Sequence, residues 1–178
     1  KCSESLEKMI TNNGGEPLMW KTGHSLIKDK MKTENAKFAG EMSGHIFFAD
    51  DYYGYDDALY VGLRLLQILS NTNNALSDLT SEIPKYYSTP EMRIDCKNDH
   101  EKFNITKKAV EYFTNNYDCI TIDGVRIKFK NGWGLVRSSN TQPVIVCRFE
   151  ATSQNDLIQM KDMVLAKLSE FGEINYDE

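Results

Sequence analysis

The sequence predicts two small domains of mixed class, an α/β domain followed by an α+β domain built from an antiparallel sheet with helices on one face. Three observations predict this. Helix and strand patterns alternate through the first half. Past Pro90 the pattern changes to strand runs separated by Asp-Gly and Asn-Gly dipeptides and flanked by helices. Between Pro84 and Pro90 the chain reads Lys-Tyr-Tyr-Ser-Thr, without periodicity. The expected boundaries are residues 1–84, a linker and hinge at 85–91, and a second domain at 92–178.

In the first half, Ser3 can cap a helix to about Asn12, with Glu4 and Glu7 near its positive end and Gly14-Gly15 closing it. Pro17 to Trp20 reads as a buried strand, and Lys21 to Ser25 turns into a basic helix carrying Lys28, Lys30 and Lys32. This alternation argues for parallel pairing. Asp50 to Tyr55 is a polar aromatic loop, and Asp56 can cap the helix after it. Leu59, Leu63 and Leu66, widened by Val61, Leu65 and Ile68, form an apolar stripe expected in the core. Asn74 can cap a short helix that Pro84 stops.

In the second half, Arg93 to Cys96 is a strand, and Asp99 opens a helix with Phe103, Val110 and Phe113 inward. Asp123-Gly124 and Asn131-Gly132 mark hairpins between the runs at 120–122, 125–129 and 133–136. Pro143 to Ala151 is a further strand. Ser153 opens a last helix with Leu157, Met160, Val164 and Phe171 inward, ending at Gly172.

Of the 178 residues, 40% are hydrophobic and 11% aromatic, enough for packed cores. The net charge of −5 gives no global attraction for nucleic acid or an anionic membrane. No apolar stretch is long enough to span a bilayer, and no secretory signal is visible. Cys2, Cys96, Cys119 and Cys147 lack C-x-x-C spacing and read as free thiols, which makes the cytoplasm the expected compartment. The start at Lys1, without an initiator methionine, suggests a piece of a longer chain.

Chemistry concentrates in three stretches. Gly40-Glu41-Met42-Ser43-Gly44-His45 reads as a strand, or a strand breaking into a tight loop. In an extended chain Glu41, Ser43 and His45 would share one side, offering a carboxylate, a hydroxyl and an imidazole to a polyhydroxylated ligand. The residue types also fit a glycine-rich turn with scattered polar groups. Arg137-Ser138-Ser139-Asn140-Thr141-Gln142-Pro143 joins two strands. A planar fork, hydroxyls, an amide and inward backbone N–H groups make an anion cradle suited to phosphate. A polar hairpin turn with an exposed arginine is the alternative. Trp20 to Ser25 lies at a strand-to-helix junction, where anions gather. His24 fits a ligand contact or a solvent-facing ring equally. The three lysines fit a solvated helix face, and His100 reads as surface. Histidine and carboxylate spacing predicts no metal site within this chain.

Together the three stretches, in this order and with these flanks, resemble the α-D-phosphohexomutases. The chain is similar to the C-terminal part of a phosphomannomutase/phosphoglucomutase, from Lys1-Cys2-Ser3 to about Gly172. The resemblance implies that residues to about Pro84 form the third of four domains. Those from about Pro90 would form the fourth, similar to the TATA-binding-protein fold. It implies sugar-hydroxyl contacts from Glu41 and Ser43, ligand contacts from Lys1 and His24, and proton transfer by His45, with Lys1 a second catalytic candidate. The phosphate not being transferred would be held by Arg137, Ser139, Asn140 and Thr141.

The implied reaction interconverts mannose or glucose 1- and 6-phosphates through a 1,6-bisphosphate. A phosphoserine in the first domain and Mg²⁺ in an Asp-rich loop of the second take part. The sequence contains no Ser-His-Asn-Pro segment and no Asp-Gly-Asp-Gly-Asp-Arg loop. The resemblance therefore implies a C-terminal fragment that binds no Mg²⁺ itself, is inactive alone and has the missing N-terminal domains as its partner. The other reading is a stand-alone, non-catalytic sugar-phosphate-binding module. A nucleic-acid binder fits poorly with net acidity and no basic stripe. Mannose and glucose phosphates are not distinguished.

Overall fold

The computed structural model describes residues 1–175, and the chain divides into two compact units, Lys1–Pro84 and Lys85–Glu178. Residues 176–178 of the expected second domain lie outside the described residues.

The first unit opens with α1 (Glu4–Asn12), where the Ser3 hydroxyl accepts the Ser5 N–H as the expected cap. The segment Pro17–Trp20 forms no strand. A strand requires a partner ladder for its N–H and C=O groups, and no described segment pairs with it. Next comes α2 (His24–Glu34), closed by Asn35 in the left-handed conformation at φ 52°. The strands β1 (Phe38–Gly40) and β2 (Ile46–Phe48) form an antiparallel hairpin, Gly40 facing Ile46. The parallel pairing expected of this half is therefore not what its strands make.

Asp57, not Asp56, caps α3 (Ala58–Ser70), accepting the N–H groups of Leu59 and Tyr60. The apolar stripe of α3 also departs from expectation. Leu59 is 84% exposed, and Leu63 and Leu66 are exposed with it. The helix instead turns its Tyr60 and Arg64 edge to the hairpin. Tyr60 packs edge-on against Phe48 and stacks on Tyr52, while Arg64 lies over the Phe48 ring and makes a two-pronged ion pair with Asp50. The expected second helix shortens to α4 (Leu76–Leu79), capped at Ala75 rather than Asn74. The Asp78 carboxylate accepts the Ala75 N–H, while the Asn74 N–H is drawn to the Thr72 hydroxyl.

The second unit contains β3 (Tyr87–Ser88), β4 (Met92–Asp95), α5 (Asp99–Asn116), β5 (Cys119–Ile120), β6 (Val125–Phe129), β7 (Gly132–Ser138), β8 (Val144–Ala151) and α6 (Gln154–Phe171). The sheet runs β3-β8-β7-β6-β5, with β4 also on β8, and every pairing is antiparallel. Tyr87–Ser88, within the segment read as linker, is thus a strand of this sheet, opposite Glu150–Ala151.

Helices α5 and α6 cover one face, sealing Ile105, Phe113, Ile127, Phe149, Val164 and their neighbours. Complete burial of Phe113 and Phe149 contributes about 1.5–3 kcal/mol each. The inward set of α5 is Lys102, Ile105, Thr106, Ala109 and Phe113. Phe103, expected inward, is exposed. The other sheet face carries a polar stack, with Arg126 3.6 Å over the Trp133 ring and the Trp133 Nε1–H donating to Glu150.

Turn chemistry sets the register. Gly124 sits at φ +72°, and a Cβ there would lie 2.2 Å from the Val136 carbonyl oxygen. The β6–β7 turn is Lys130-Asn131, because Gly132 already pairs with Phe129. That is one residue earlier than the Asn-Gly signal suggests.

Candidate functional site: a sugar-type hairpin and an anion-type loop

In the first unit the functional side chains sit on the β1–β2 hairpin and at the start of α2. Glu41 to His45 form a tight loop, not an extended strand. The Glu41 N–H donates to the His45 carbonyl and the Gly44 N–H to the Glu41 carbonyl, with Gly44 at φ +93°. Strand alternation therefore does not align Glu41, Ser43 and His45.

His45 Nδ1 lies 2.5 Å from Asp56 Oδ2. The other oxygen of Asp56 accepts the Ile46 N–H, since Asp56 bridges to β2 opposite Phe47. His24, the first residue of α2, brings its Nε2 within 3.6 Å of the same Asp56 oxygen. The two imidazoles meet edge to face, and His24 also packs on the fully buried Phe47. One carboxylate thus serves two rings. A carboxylate only accepts, so His45 carries its hydrogen on Nδ1 and its Nε2 is left as the basic atom of the neutral ring. The bond from His45 holds the Asp56 carboxyl below the usual carboxylate range, with smaller help from the Ile46 N–H and the charge of His24.

Glu41 contributes a different feature. Its Oε1 is buried and has no hydrogen-bond partner among the described residues. Such an acceptor is costly unless a donor reaches it. Ser43 is exposed at the loop tip, and Lys1, ahead of α1, is partly buried.

In the second unit the loop after β7 is built around three side chains. Arg137 is buried, and its Nε donates to Asp123 at 3.0 Å, using one of five donors. It is neither an exposed arginine nor a fork wholly given to a ligand. The buried Ser139 hydroxyl accepts the N–H groups of Thr141 and Gln142, both at 3.3 Å, so these point into the loop. Asn140 and Thr141 are exposed at its tip. From below, Lys102 Nζ reaches the carbonyls of Ser139 and Gln142, each at 2.9 Å. On the neighbouring strand the partly buried Arg148 has an Nε without a partner among the described residues.

Two family profiles match the chain. "Phosphoglucomutase/phosphomannomutase, alpha/beta/alpha domain III" covers residues 1–87, and "Phosphoglucomutase/phosphomannomutase, C-terminal domain" covers 91–167. The chain belongs to the phosphoglucomutase/phosphomannomutase family. It is 48% identical over 171 residues to the phosphomannomutase/phosphoglucomutase of Pseudomonas putida, covering 94% of this chain and 36% of that protein. It is 46% identical to a phosphoglucomutase of Neisseria meningitidis, covering 86% of this chain and 34% of that protein. A solved structure of a phosphoglucomutase/phosphomannomutase family protein from Burkholderia thailandensis superposes with a TM-score of 0.84 at 41% identity, over 97% of this chain and 37% of that one. The chain therefore spans about a third of the length of the curated relatives it matches. The family's third-domain and C-terminal-domain classes, α/β and α+β, are the two classes expected.

Of the residues that the family motifs single out, the structure brings His24 and His45 together, and it sets Arg137 near the end of β7, two residues before Ser139 in the loop that follows. Sequence reasoning missed Asp56, Asp123 and Lys102. Asp56 was legible as a surplus acid, because one helix start needs one cap and Asp57 supplies it. Lys102 was legible as a cation on the inward stripe Lys102, Ile105, Ala109, Phe113. Asp123 was absorbed by the hairpin signal. Among the described residues no group of three or more His, Cys, Asp or Glu is placed to hold a metal. No described helix is long and apolar enough to cross a membrane.

Proposed function

We propose that this chain is the sugar- and phosphate-recognition part of a hexose-phosphate mutase. Such an enzyme interconverts hexose 1- and 6-phosphates through a bisphosphorylated sugar. The observation that carries the reading is Glu41. A buried carboxylate oxygen without a partner among the described residues, on a hairpin whose loop also holds Ser43 and His45, is an acceptor suited to a hydroxyl donor. A sugar ring supplies such donors. The names of the relatives, phosphomannomutase and phosphoglucomutase, support hexose phosphate as ligand.

In this reading Glu41 and Ser43 hold ring hydroxyls, with Lys1 and His24 as further ligand contacts. His45, oriented by Asp56, moves a proton at Nε2, and Lys1 is a second candidate for that step. Arg137, Ser139, Asn140 and Thr141 hold the phosphate that is not transferred. The phosphoserine and Mg²⁺ are assigned to domains outside this sequence, and no step is derived through them. Alone, the chain binds without turnover, and its expected compartment is the cytoplasm. Nucleic acid is not a partner in this reading.

Glu41→Gln tests it in a four-domain mutase carrying this sequence as its last two domains. Removing a charged acceptor of a sugar hydroxyl costs about 1.5–3 kcal/mol of binding, tenfold or more in kcat/KM. Thermal stability should hold or rise, because the buried Oε1 has no hydrogen-bond partner among the described residues. Unchanged kcat/KM would remove Glu41 from the sugar site. A coupled mutase assay on the 178-residue chain should read as buffer.

A further inference from the structure

Lys102 lies outside every motif, yet it is the most deeply buried cation of the second unit, at 2% exposure. Its ammonium has three N–H donors, and three acceptors meet it. These are Asp99 Oδ1 at 2.7 Å, the Ser139 carbonyl at 2.9 Å and the Gln142 carbonyl at 2.9 Å. An ammonium carries no further donor, so Lys102 is saturated by the protein and has none left for a ligand. Two of the three acceptors are the backbone at the two ends of the Ser139–Gln142 loop. The Ser139 hydroxyl ties the same loop from within, through the N–H groups of Thr141 and Gln142.

We infer that Lys102 is the positioning residue of the anion loop. It draws the carbonyls of Ser139 and Gln142 to the helix side, so that the tip residues Asn140 and Thr141 project from the opposite side. The assignment to phosphate rests on the proposed function. The clamp itself rests on the three bonds alone. A loop with negative carbonyl ends turned out would repel an anion, and a buried cation holding them inward removes that repulsion. Lysine suits the position because its three donors spread from one point, whereas a guanidinium spreads its donors in a plane.

The test uses the 178-residue chain, inorganic phosphate and two readouts. In Lys102→Met, amide hydrogen exchange at Asn140 to Gln142 should quicken at least tenfold while that of β7 and β8 is unchanged. The phosphate dissociation constant should rise at least fivefold. Wild-type exchange rates at the loop in a folded variant would overturn the clamp. Should the variant not fold, the unmodified chain decides. The Lys102 ammonium should give a slowly exchanging nitrogen resonance with couplings through the hydrogen bonds to the Ser139 and Gln142 carbonyls. A rapidly exchanging ammonium would overturn the proposal. Quickened loop exchange in the variant, with no phosphate binding by the wild-type chain, would refute the phosphate reading and leave the clamp standing.

Discussion

His45 and Asp56, eleven positions apart in sequence, share a hydrogen bond of 2.5 Å that fixes which imidazole nitrogen carries the hydrogen. Asp56→Asn removes the acceptor-only partner, so the ring is free to adopt the other tautomer. In a four-domain mutase with these residues, kcat should fall about tenfold to hundredfold, within the range of general acid–base contributions. The ring nitrogen resonances of His45 should report the hydrogen moving from Nδ1 to Nε2. An unchanged kcat with an unchanged tautomer would make Asp56 a structural bystander.

Arg137 is held by Asp123 through Nε at 3.0 Å. Arg137→Ala should raise KM for hexose phosphates by about tenfold or more, the worth of a charge-assisted fork at roughly 1.5–3 kcal/mol. Steady-state kinetics with glucose 1-phosphate provide the check. An unchanged KM would take Arg137 out of the phosphate site.

Acid should loosen the first unit through Asp50. The bidentate bond from Arg64 pulls its carboxyl from 3.8 down to about 2. A group whose folded value is depressed adds stability above its unfolded value, and that stability is lost as pH falls through the folded one. Between pH 4 and pH 2 the wild type should therefore lose melting temperature faster than Asp50→Asn. Parallel acid curves for the two would contradict the assignment.

Much of the second unit was legible in the sequence, and less of the first. Alternation and the Ser153 cap describe a sheet that closes on its own residues, so local signals and packing agree there, whereas Asp123-Gly124 lies in a longer connection, β5 ending at Ile120 opposite Arg126, and not in the two-residue turn expected. In the first unit the leucine stripe of α3 carries a correct helix signal and a misleading burial signal. Periodicity reports that one side is apolar, not which side the neighbouring elements meet, and Tyr60 and Arg64 meet the hairpin instead. The same limit hid the site. The motifs Gly40–His45 and Arg137–Pro143 were readable, whereas Asp56 and Lys102 act across 11 and 37 to 40 positions, beyond the reach of a local pattern.

Gly124→Ala should damage the anion loop from a distance. The added Cβ would strike the Val136 carbonyl and the Arg137 Cα, at 2.2 and 2.7 Å, from a backbone held at φ +72°. The left-handed penalty alone is about 1–2 kcal/mol, and the overlap adds to it. Thermal denaturation should show the loss, together with weaker phosphate binding because Arg137 is displaced. A variant as stable as wild type would mean that β6 and β7 pair differently.

In the proposed function the Glu41–His45 hairpin receives sugar hydroxyls and the segment from Arg137 to Gln142 receives phosphate. Segment-resolved hydrogen exchange of the 178-residue chain, with and without millimolar glucose 1,6-bisphosphate, tests it most directly. Exchange should slow in both segments and stay unchanged in α1. Unchanged exchange in both segments, with ligand in excess, would contradict it.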